Sequence, residues 1–178
     1  MGKNHTAGCN KPIEVAFFMD IKSLKIKALK AEAVTKKLFL KLKKLKPSNL
    51  DDVFHTLHEE AFEHIDYLNC ANCCKTTSPI FTQRDIERLS KLFKISPLQF
   101  IEKHLKIDDD KDYVLKSAPC TFLGEDNYCS IYDNRPTACR EYPHTDRKRM
   151  YQLLDLTAKN AAICPAVFEI TEKIKKVY

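Results

Sequence analysis

The sequence of 178 residues contains no tryptophan, only three glycines and no long apolar run. Its longest uninterrupted apolar stretch, Val15 to Met19, is far shorter than the roughly 20 residues that span a bilayer, and too short for the core of an export signal. The glycines stand apart at Gly2, Gly8 and Gly124, so there is no glycine-rich cofactor loop. These absences exclude collagen-like and linker-like chains and argue against a transmembrane or secreted protein.

Eight cysteines are the unusual feature of a composition that otherwise suits a soluble protein of one domain. Their share is about half of the roughly 8–10% found in small disulfide-rich proteins. Without an export signal we expect a cytoplasmic protein, and disulfides are rare in that reducing compartment. Cysteines there are considered first as metal ligands or redox groups. Cys70, Cys73 and Cys74 fall within five residues, which thiols scattered through a core do not explain.

Positive charge is concentrated near the start of the chain. The net charge is +6, yet residues 22–46 hold ten lysines and one glutamate, an excess of +9, so the remaining residues sum to −3. The apolar residues of this segment fit one face of a long helix, which Pro47 ends. The favoured interpretation is a solvated outer face on a helix that packs against the rest. The alternative is contact with nucleic acid or an anionic membrane, although the segment has no arginine and only one aromatic residue, Phe39, for base stacking.

Helix starts are predicted at Ser48, Thr82, Ser96 and Cys164. The first two are followed three residues later by aspartate, a variant of the capping box, and the last two are followed directly by proline. The second predicted helix carries His55, His58 and His64, which match neither HExxH nor Glu-x-x-His. We interpret these histidines as surface or half-buried residues.

Short strands are predicted at residues 113–115, 121–123 and 128–132. The turn at residues 124–127 would join the last two in a hairpin flanked by Cys120 and Cys129. A short helical turn containing Cys139 and a helix over about 149–161 follow. The acidic residues 108–112 lack the glycine and glutamate of an EF-hand and are interpreted as a solvated loop.

The predicted fold is therefore mainly α with a small β-hairpin, an α-dominated α+β architecture whose helices pack around a metal-stapled cysteine cluster. We predict three regions: a flexible tail over residues 1–12, a Lys-rich amphipathic helix over 13–46, and a cysteine-cluster metal-binding domain over 47–178.

The candidate metal ligands are the cysteines beyond the N-terminal tail and one histidine: Cys70, Cys73, Cys74, Cys120, Cys129, Cys139, Cys164 and His144. A C-x-x-C turn such as Cys70 to Cys73 brings two sulfur atoms to the roughly 3.5–4 Å separation that one tetrahedral ion needs. Cys74 cannot point the same way as Cys73, so it would serve a second ion or bridge two. Eight ligands suffice for two four-coordinate zinc sites, and iron or an iron–sulfur cluster takes the same thiolates.

Arg135 and Arg140 flank Cys139 and would offset the negative charge of several thiolates. The alternative is that they form surface ion pairs with Asp133 or Glu141. Two tyrosines nearby, at 132 and 142, are interpreted as core aromatics whose hydroxyl groups find a polar partner.

A series of short motifs between residues 65 and 170 resembles a known family. They are Cys70-x2-Cys73-Cys74, Pro119-Cys120-Thr121-Phe122-Leu123, Cys129-Ser130-Ile131-Tyr132, Arg135-Pro136-x2-Cys139-Arg140, Tyr142-Pro143-His144 and Cys164-Pro165. This order resembles the YkgJ-like cysteine-cluster family, described as a zinc- or iron-chelating domain, and the resemblance implies metal binding. The family's motif reads C-x2-C-x2-C-C, and Tyr67 stands at its first cysteine position. The motif is also similar to a segment of bacterial flagellin lysine-N-methylases.

We therefore expect a zinc- or iron-chelating cytoplasmic protein whose thiolate-ligated metal is structural, with zinc as the first choice of metal. The alternatives are an iron–sulfur-dependent enzyme, methyltransferase-like by analogy, and a nucleic-acid or membrane adaptor that uses the basic helix.

Overall fold

The computed structural model describes residues 21–65 and 70–178. The described helices are α1 Ile21–Leu45, α2 Leu50–Phe62, α3 Asn72–Thr76, α4 Gln83–Leu92, α5 Pro97–His104, α6 Thr137–Glu141, α7 Leu154–Asn160 and α8 Pro165–Val177. Two 3-10 turns, Tyr132–Asn134 and Met150–Gln152, and two strands, β1 Leu105–Ile107 and β2 Tyr113–Leu115, complete the fold. The prediction of a mainly α fold with a small hairpin is confirmed. The predicted tail over 1–12 and the predicted helical residues 13–20 lie outside the described part.

One hydrophobic cluster is built by α1, α2, α7, α8 and the 3-10 turn at residues 150–152. Each long helix turns one apolar face inward, as its 3.6-residue periodicity predicts. The cluster is formed by Phe39, Leu42, Leu50, Phe54, Leu57, Ala61, Met150, Leu154, Ala166, Ile170 and Ile174. Because Phe39 and Leu42 of α1 belong to it, the Lys-rich helix is packed against the rest of the protein along one side. None of the described helices is long and apolar enough to cross a membrane.

A second cluster is built by α4, α5, the strands and the chain that follows them. Its members are Phe81, Ile86, Leu89, Phe100, Leu105, Leu115, Phe122 and Ile131. The rings of Phe100 and Phe122 are nearly parallel, with centroids 6.5 Å apart. Cys120 and Cys129 pack against this cluster, whereas Cys164 packs against the first one. Cysteines therefore pack against both clusters.

The structure confirms the predicted starts of α4, α5 and α8. Thr82 and Ser96 each form a capping box with the residue three positions later, and Pro165 follows Cys164 at the first turn of α8. The prediction that Ser48 caps α2 through Asp51 is wrong, since Asn49 occupies the cap without a side-chain hydrogen bond.

Asp51 serves a different backbone segment. Its carboxylate accepts hydrogen bonds from the backbone N–H groups of Arg149 and Met150, at 2.7 and 2.8 Å. Arg149 has a left-handed backbone (φ 60°), which prevents a continuous helix over 149–161. That predicted helix is instead a 3-10 turn followed by α7.

The β-hairpin lies earlier in the chain than predicted. β1 pairs antiparallel with β2, with Leu105 opposite Leu115, and the acidic residues 108–112 form its loop. The Asp108 side chain accepts the backbone N–H groups of Asp110 and Asp112, which closes the loop. The predicted strands at 121–123 and 128–132 are wrong: only a single bridge joins Leu123 to Cys129 in that described segment. The strand β1 was missed because it continues directly from α5.

Candidate metal centre

Cys70, Cys73 and Cys164 are brought together by a buried asparagine. Asn72, within the Cys70–Cys74 turn, donates its side-chain amide to the carbonyl oxygen of Ile163 at 2.7 Å. This bond fixes the turn beside the residue that precedes Cys164. We call these three cysteines the second thiol group and keep the name first thiol group for the larger set of four cysteines.

A different set of bonds brings Cys74, Cys120 and Cys129 together. The backbone N–H of Cys120 donates to the carbonyl oxygen of Cys74 at 2.8 Å. The N–H of Phe122 then points at the sulfur of Cys120, 3.4 Å away, and the bridge between Leu123 and Cys129 turns the chain back. With Cys139, these three cysteines make up what we call the first thiol group.

Cys139 is positioned by a buried ion pair on α4. The side chain of Asp85 is fully buried and lies 2.7 Å from the guanidinium of Arg88, whose Nη2 also donates to the carbonyl oxygen of Arg135 at 2.9 Å. Asp85 in addition accepts the backbone N–H of Thr137, at 3.2 Å, at the start of α6. The pair therefore holds both ends of the segment that leads into Cys139.

Hydrogen bonds keep the Asp85 carboxylate ionised. Burial by itself would raise the pKa of Asp85, but the bonds from Thr82, Arg88 and Thr137 outweigh it and hold the pKa below its ordinary value. The ionised carboxylate balances the positive charge of the half-buried Arg88 side chain.

Three thiols of the first group, those of Cys120, Cys129 and Cys139, have raised pKa values. The pKa of Cys139 rises to about 12, first because of burial and then because of negative charge on the other three members. The pKa of Cys120 rises to about 11 for the same two reasons, with Cys74 and Cys129 as the charged neighbours. Negative charge on one of these sulfur atoms therefore makes ionisation of its neighbours in the group less favourable.

The second thiol group shows a separate pattern. Burial raises the pKa of Cys164 to about 11, partly opposed by backbone N–H groups at the start of α8, and the charge of Cys70 raises it further. The pKa of Cys73 is raised by its contact with Cys74, by burial and by the charges of Cys74 and Cys164. The thiols therefore fall into two neighbourhoods.

Cys73 and Cys74 are the link between the two groups. Their sulfur atoms are 4.0 Å apart. The interaction with Cys73 lowers the pKa of Cys74 to about 7, against the effect of burial, and the positive charges of Arg135 and Lys75 lower it further. Within this pair, Cys74 is therefore the more acidic thiol.

Arg135 acts on the first group, as the sequence suggested. Its guanidinium lies 3.7 Å from the ring centre of Tyr132. Its charge lowers the pKa of Cys74 and partly opposes the rise that burial causes in the pKa of Cys129. Arg140 instead donates to the hydroxyl of Thr137. The proposed ion-pair partner of the arginines, Glu141, pairs with Arg147 at 2.9 Å.

The hydroxyl of Tyr142 is buried and has no hydrogen-bond partner within the described structure. The expectation that this phenol finds a polar partner is therefore wrong. Burial raises its pKa, and the charges of Cys164, Cys73, Cys70 and Cys74, in decreasing order, raise it further. The unpartnered O–H group thus lies among the thiols and is available to donate to a sulfur atom.

His144 is placed at the edge of this region. Its ring meets the Tyr142 ring edge-on, with centroids 6.3 Å apart. Burial lowers the pKa of His144, and the charges that modify it come from Glu141, Arg147 and Asp146 rather than from a cysteine.

The three histidines that were predicted not to be ligands contact protein groups. His55 lies 3.0 Å from the carbonyl oxygen of Arg147, and His58 lies 2.8 Å from the hydroxyl of Thr145. His64 lies 2.9 Å from the carboxylate of Glu169. These contacts agree with their interpretation as surface or half-buried residues.

The chemistry of the donors fits a thiophilic metal. All seven described cysteines are free and half-buried, positive charge lies beside them, and a buried phenol is left without a partner. Within residues 21–65 and 70–178, however, no three His, Cys, Asp or Glu side chains are already arranged to hold an ion. Binding of an ion by either thiol group would therefore require its side chains to move closer together.

Comparison with known families supports a role of the cysteines in metal binding. The model of the CxxCxxCC family, described as "Putative zinc- or iron-chelating domain", matches residues 67–165, more than half of the chain. The chain belongs to the CxxCxxCC family. Neither the curated proteins nor the solved structures give a match.

Membership of the CxxCxxCC family supports metal chelation and leaves the choice between zinc and iron open. The matched range begins at Tyr67, where the family motif has its first cysteine; this residue lies outside the described part.

Sequence reasoning missed Asn72, the Asp85–Arg88 pair and Lys75. Asp85 gave only a capping signal, and the other three lie in ordinary polar sequence.

The affinity for zinc should rise with pH. Because the pKa values of Cys120, Cys139 and Cys164 are raised to about 11–12, these thiols are protonated at neutral pH in the metal-free chain and must lose protons to bind. Between about pH 6 and 8, we expect the apparent association constant to increase about tenfold per pH unit for each proton displaced. A competition titration with a chelator at several pH values measures the slope; a constant affinity would contradict thiolate ligation.

Proposed function

We propose that this protein binds zinc through two groups of thiolates and that the bound ions hold together the two halves of its fold. The observation that carries the proposal is a set of seven free cysteines, of which Cys164 packs against one hydrophobic cluster and Cys120 and Cys129 pack against the other. Small cores that do not pack extensively against each other gain most from a metal staple, because the free energy of metal binding is also free energy of folding.

The first thiol group supplies a complete ligand set. Four cysteines, Cys74, Cys120, Cys129 and Cys139, are the donors of a closed tetrahedral zinc site. Arg135 offsets part of their charge, and it does so from a segment fixed by the Asp85–Arg88 pair. A site with four protein ligands has no open position, which supports a structural role rather than a catalytic one.

The second thiol group supplies three donors and lacks a fourth. Cys70, Cys73 and Cys164 are ordered by the Asn72 side chain and by the start of α8. His144 is our candidate for the fourth ligand, because an imidazole can complete a three-cysteine zinc site. The unpartnered hydroxyl of Tyr142 is the candidate to donate a hydrogen bond to one of the bound sulfur atoms.

Iron is the second candidate metal. Mononuclear iron and iron–sulfur clusters also take four cysteine thiolates, and the family description allows zinc or iron. We favour zinc because a closed set of four cysteine thiolates is typical of structural zinc sites. The free thiols also fit a reducing compartment, and we propose the cytoplasm.

Replacement of zinc by Co²⁺ tests the thiolate ligation. The metal-free protein is titrated with Co²⁺ under anaerobic conditions and followed by absorption spectroscopy. We expect intense sulfur-to-cobalt charge-transfer bands that saturate at about two equivalents, as two thiolate sites require. Weak bands typical of oxygen and nitrogen ligands alone would contradict the proposal.

Restoring the family's first cysteine should improve the second site. Because Tyr67 stands where the family motif has a thiolate, Tyr67→Cys adds a fourth sulfur donor next to a group that has three. We expect a rise in affinity of at least about tenfold at the weaker site and none at the stronger one. Tyr67→Ser is the matched control, since it removes the ring without adding a thiol. Equal metal affinities in the two variants would show that no ligand is missing at position 67.

A further inference from the structure

The side of α1 that faces away from the protein is both apolar and basic. The buried side of the helix is formed by Leu24, Ala28, Thr35, Phe39 and Leu42. On an α-helix with 3.6 residues per turn, the opposite side consists of Ile26, Leu29, Lys30, Ala33, Lys37, Leu40 and Lys44. We call these seven residues the outer face of α1. All of them are exposed.

Large apolar side chains are unusually exposed on the outer face. Ile26, Leu29 and Leu40 are 55%, 58% and 57% accessible to solvent. Ile26 and Leu40 are fourteen residues apart in the sequence, so the exposed apolar side chains extend along roughly 20 Å of the helix. Farther along, a shallow depression is lined by Ala33 and Leu40 among the lysines at positions 36, 37, 41 and 44. Single exposed apolar residues are ordinary, but a row of them on one helix face is a sign of an interaction surface.

The positive charge of the helix favours a negatively charged partner. Helix α1 carries nine lysines and a single acidic residue, Glu32, which pairs with Lys36 at 2.6 Å. Such a charge opposes association of this face with a second copy of itself. A bilayer with anionic headgroups satisfies both properties of the face, because leucine and isoleucine enter the acyl boundary while lysines remain at the phosphates.

A nucleic acid fits the same face less well. Helix α1 contains no arginine, and its one aromatic residue, Phe39, is only 2% exposed because it belongs to the first hydrophobic cluster. Phe39 is therefore unable to stack on a base, and the exposed leucines have no role in contacts with phosphates. From these observations we infer that the outer face of α1 binds the surface of an anionic phospholipid membrane, with the helix lying in the plane of the bilayer.

Co-sedimentation of the full-length, metal-loaded protein with vesicles tests this inference. We expect binding to vesicles of phosphatidylcholine and phosphatidylglycerol in equal parts, and at least tenfold weaker binding to phosphatidylcholine alone. Added salt should weaken the binding, because the Debye length shortens from about 10 Å at 0.1 M to about 3 Å at 1 M. Equal binding to both vesicle types would overturn the inference.

Two pairs of substitutions test the apolar side chains and the lysines of the outer face separately. Leu29→Gln with Leu40→Gln removes apolar surface without changing the charge and should reduce vesicle binding at least tenfold, whereas Leu98→Gln, at a residue of α5 that is 63% exposed, should not. Lys37→Gln with Lys44→Gln should reduce it by about 25-fold, since each lysine near an anionic surface changes binding roughly fivefold. The control for charge is Lys91→Gln with Lys106→Gln, two exposed lysines outside α1.

The same variants distinguish a membrane from two other partners of the outer face, a nucleic acid and a second copy of the chain. Binding to a DNA duplex that depends on the lysines and not on the leucines would overturn the inference in favour of a nucleic acid. A dimer in light scattering that Leu29→Gln with Leu40→Gln converts to a monomer would overturn it in favour of self-association. Circular dichroism and metal content should be unchanged in every variant, because the substituted side chains are exposed and distant from the thiols.

Discussion

Replacing Cys139 by serine should remove one of the two metal ions and destabilise the protein strongly. Cys139 is one of four sulfur donors in the first thiol group, and serine is a poor ligand for zinc in a site otherwise made of thiolates. Structural zinc contributes roughly 10–16 kcal/mol of binding free energy in small domains, and that energy is lost to folding when the ion leaves. We expect the free energy of unfolding to fall by about 5 kcal/mol or more and Tm to fall by roughly 10–20 °C.

Metal analysis and calorimetry of three variants check this expectation. Cys120→Ser should behave as Cys139→Ser does, because both residues belong to the first thiol group. Cys164→Ser should also lose one equivalent but leave the first site intact. Cys9→Ser, which changes a cysteine in the N-terminal segment, should retain both ions and the wild-type Tm. A Cys139→Ser protein with full metal content and an unchanged Tm would show that Cys139 is not a ligand.

The substitution Asp85→Asn should have the second-largest effect. It removes the charge that balances Arg88 while leaving the shape of the side chain, so a guanidinium that is 30% exposed loses its buried partner. Breaking a buried ion pair from one side costs about 3–5 kcal/mol, and we expect about 3 kcal/mol because Arg88 retains some solvent. The segment leading into Cys139 loses its fixed position, so zinc affinity at the first site should fall about 10–100-fold.

Urea unfolding and a competition titration of the zinc-loaded protein measure the two effects of Asp85→Asn. Asp155→Asn is the control, because Asp155 is 68% exposed and pairs with Lys43 at the surface, where an ion pair is worth at most about 1 kcal/mol. The pKa of Asp85 is lowered in the folded state, so its contribution is present above its ordinary value of 3.8 and is lost as the pH falls further. An unchanged urea midpoint for Asp85→Asn at neutral pH would contradict the positioning role.

The elements that the sequence predicted well have local causes. Thr82 and Ser96 start their helices because each accepts a backbone N–H three residues later, an interaction within one turn. The inward face of α1 follows from its spacing of apolar residues alone. The cysteines were recognisable as candidate metal ligands because Cys73 and Cys74 are adjacent and no disulfide was expected.

The elements that the sequence missed depend on contacts between distant residues. Asp51 looked like a capping partner for Ser48, yet it binds backbone groups about a hundred residues away. The partition of the thiols into two groups depends on the amide of Asn72 reaching Ile163 and on the backbone of Cys120 reaching Cys74. Such tertiary hydrogen bonds leave no periodicity in the sequence, which is why the ligand partition was not predictable.

Elemental analysis of the anaerobically purified protein, with its absorption spectrum, tests the central claim most directly. Two thiolate sites predict about two zinc ions per chain and no absorption near roughly 400 nm, since zinc has a filled d shell. Iron with sulfide and a brown chromophore would contradict the zinc assignment and indicate a cluster. A chain purified with neither metal, and unable to bind either on reconstitution, would contradict the account as a whole.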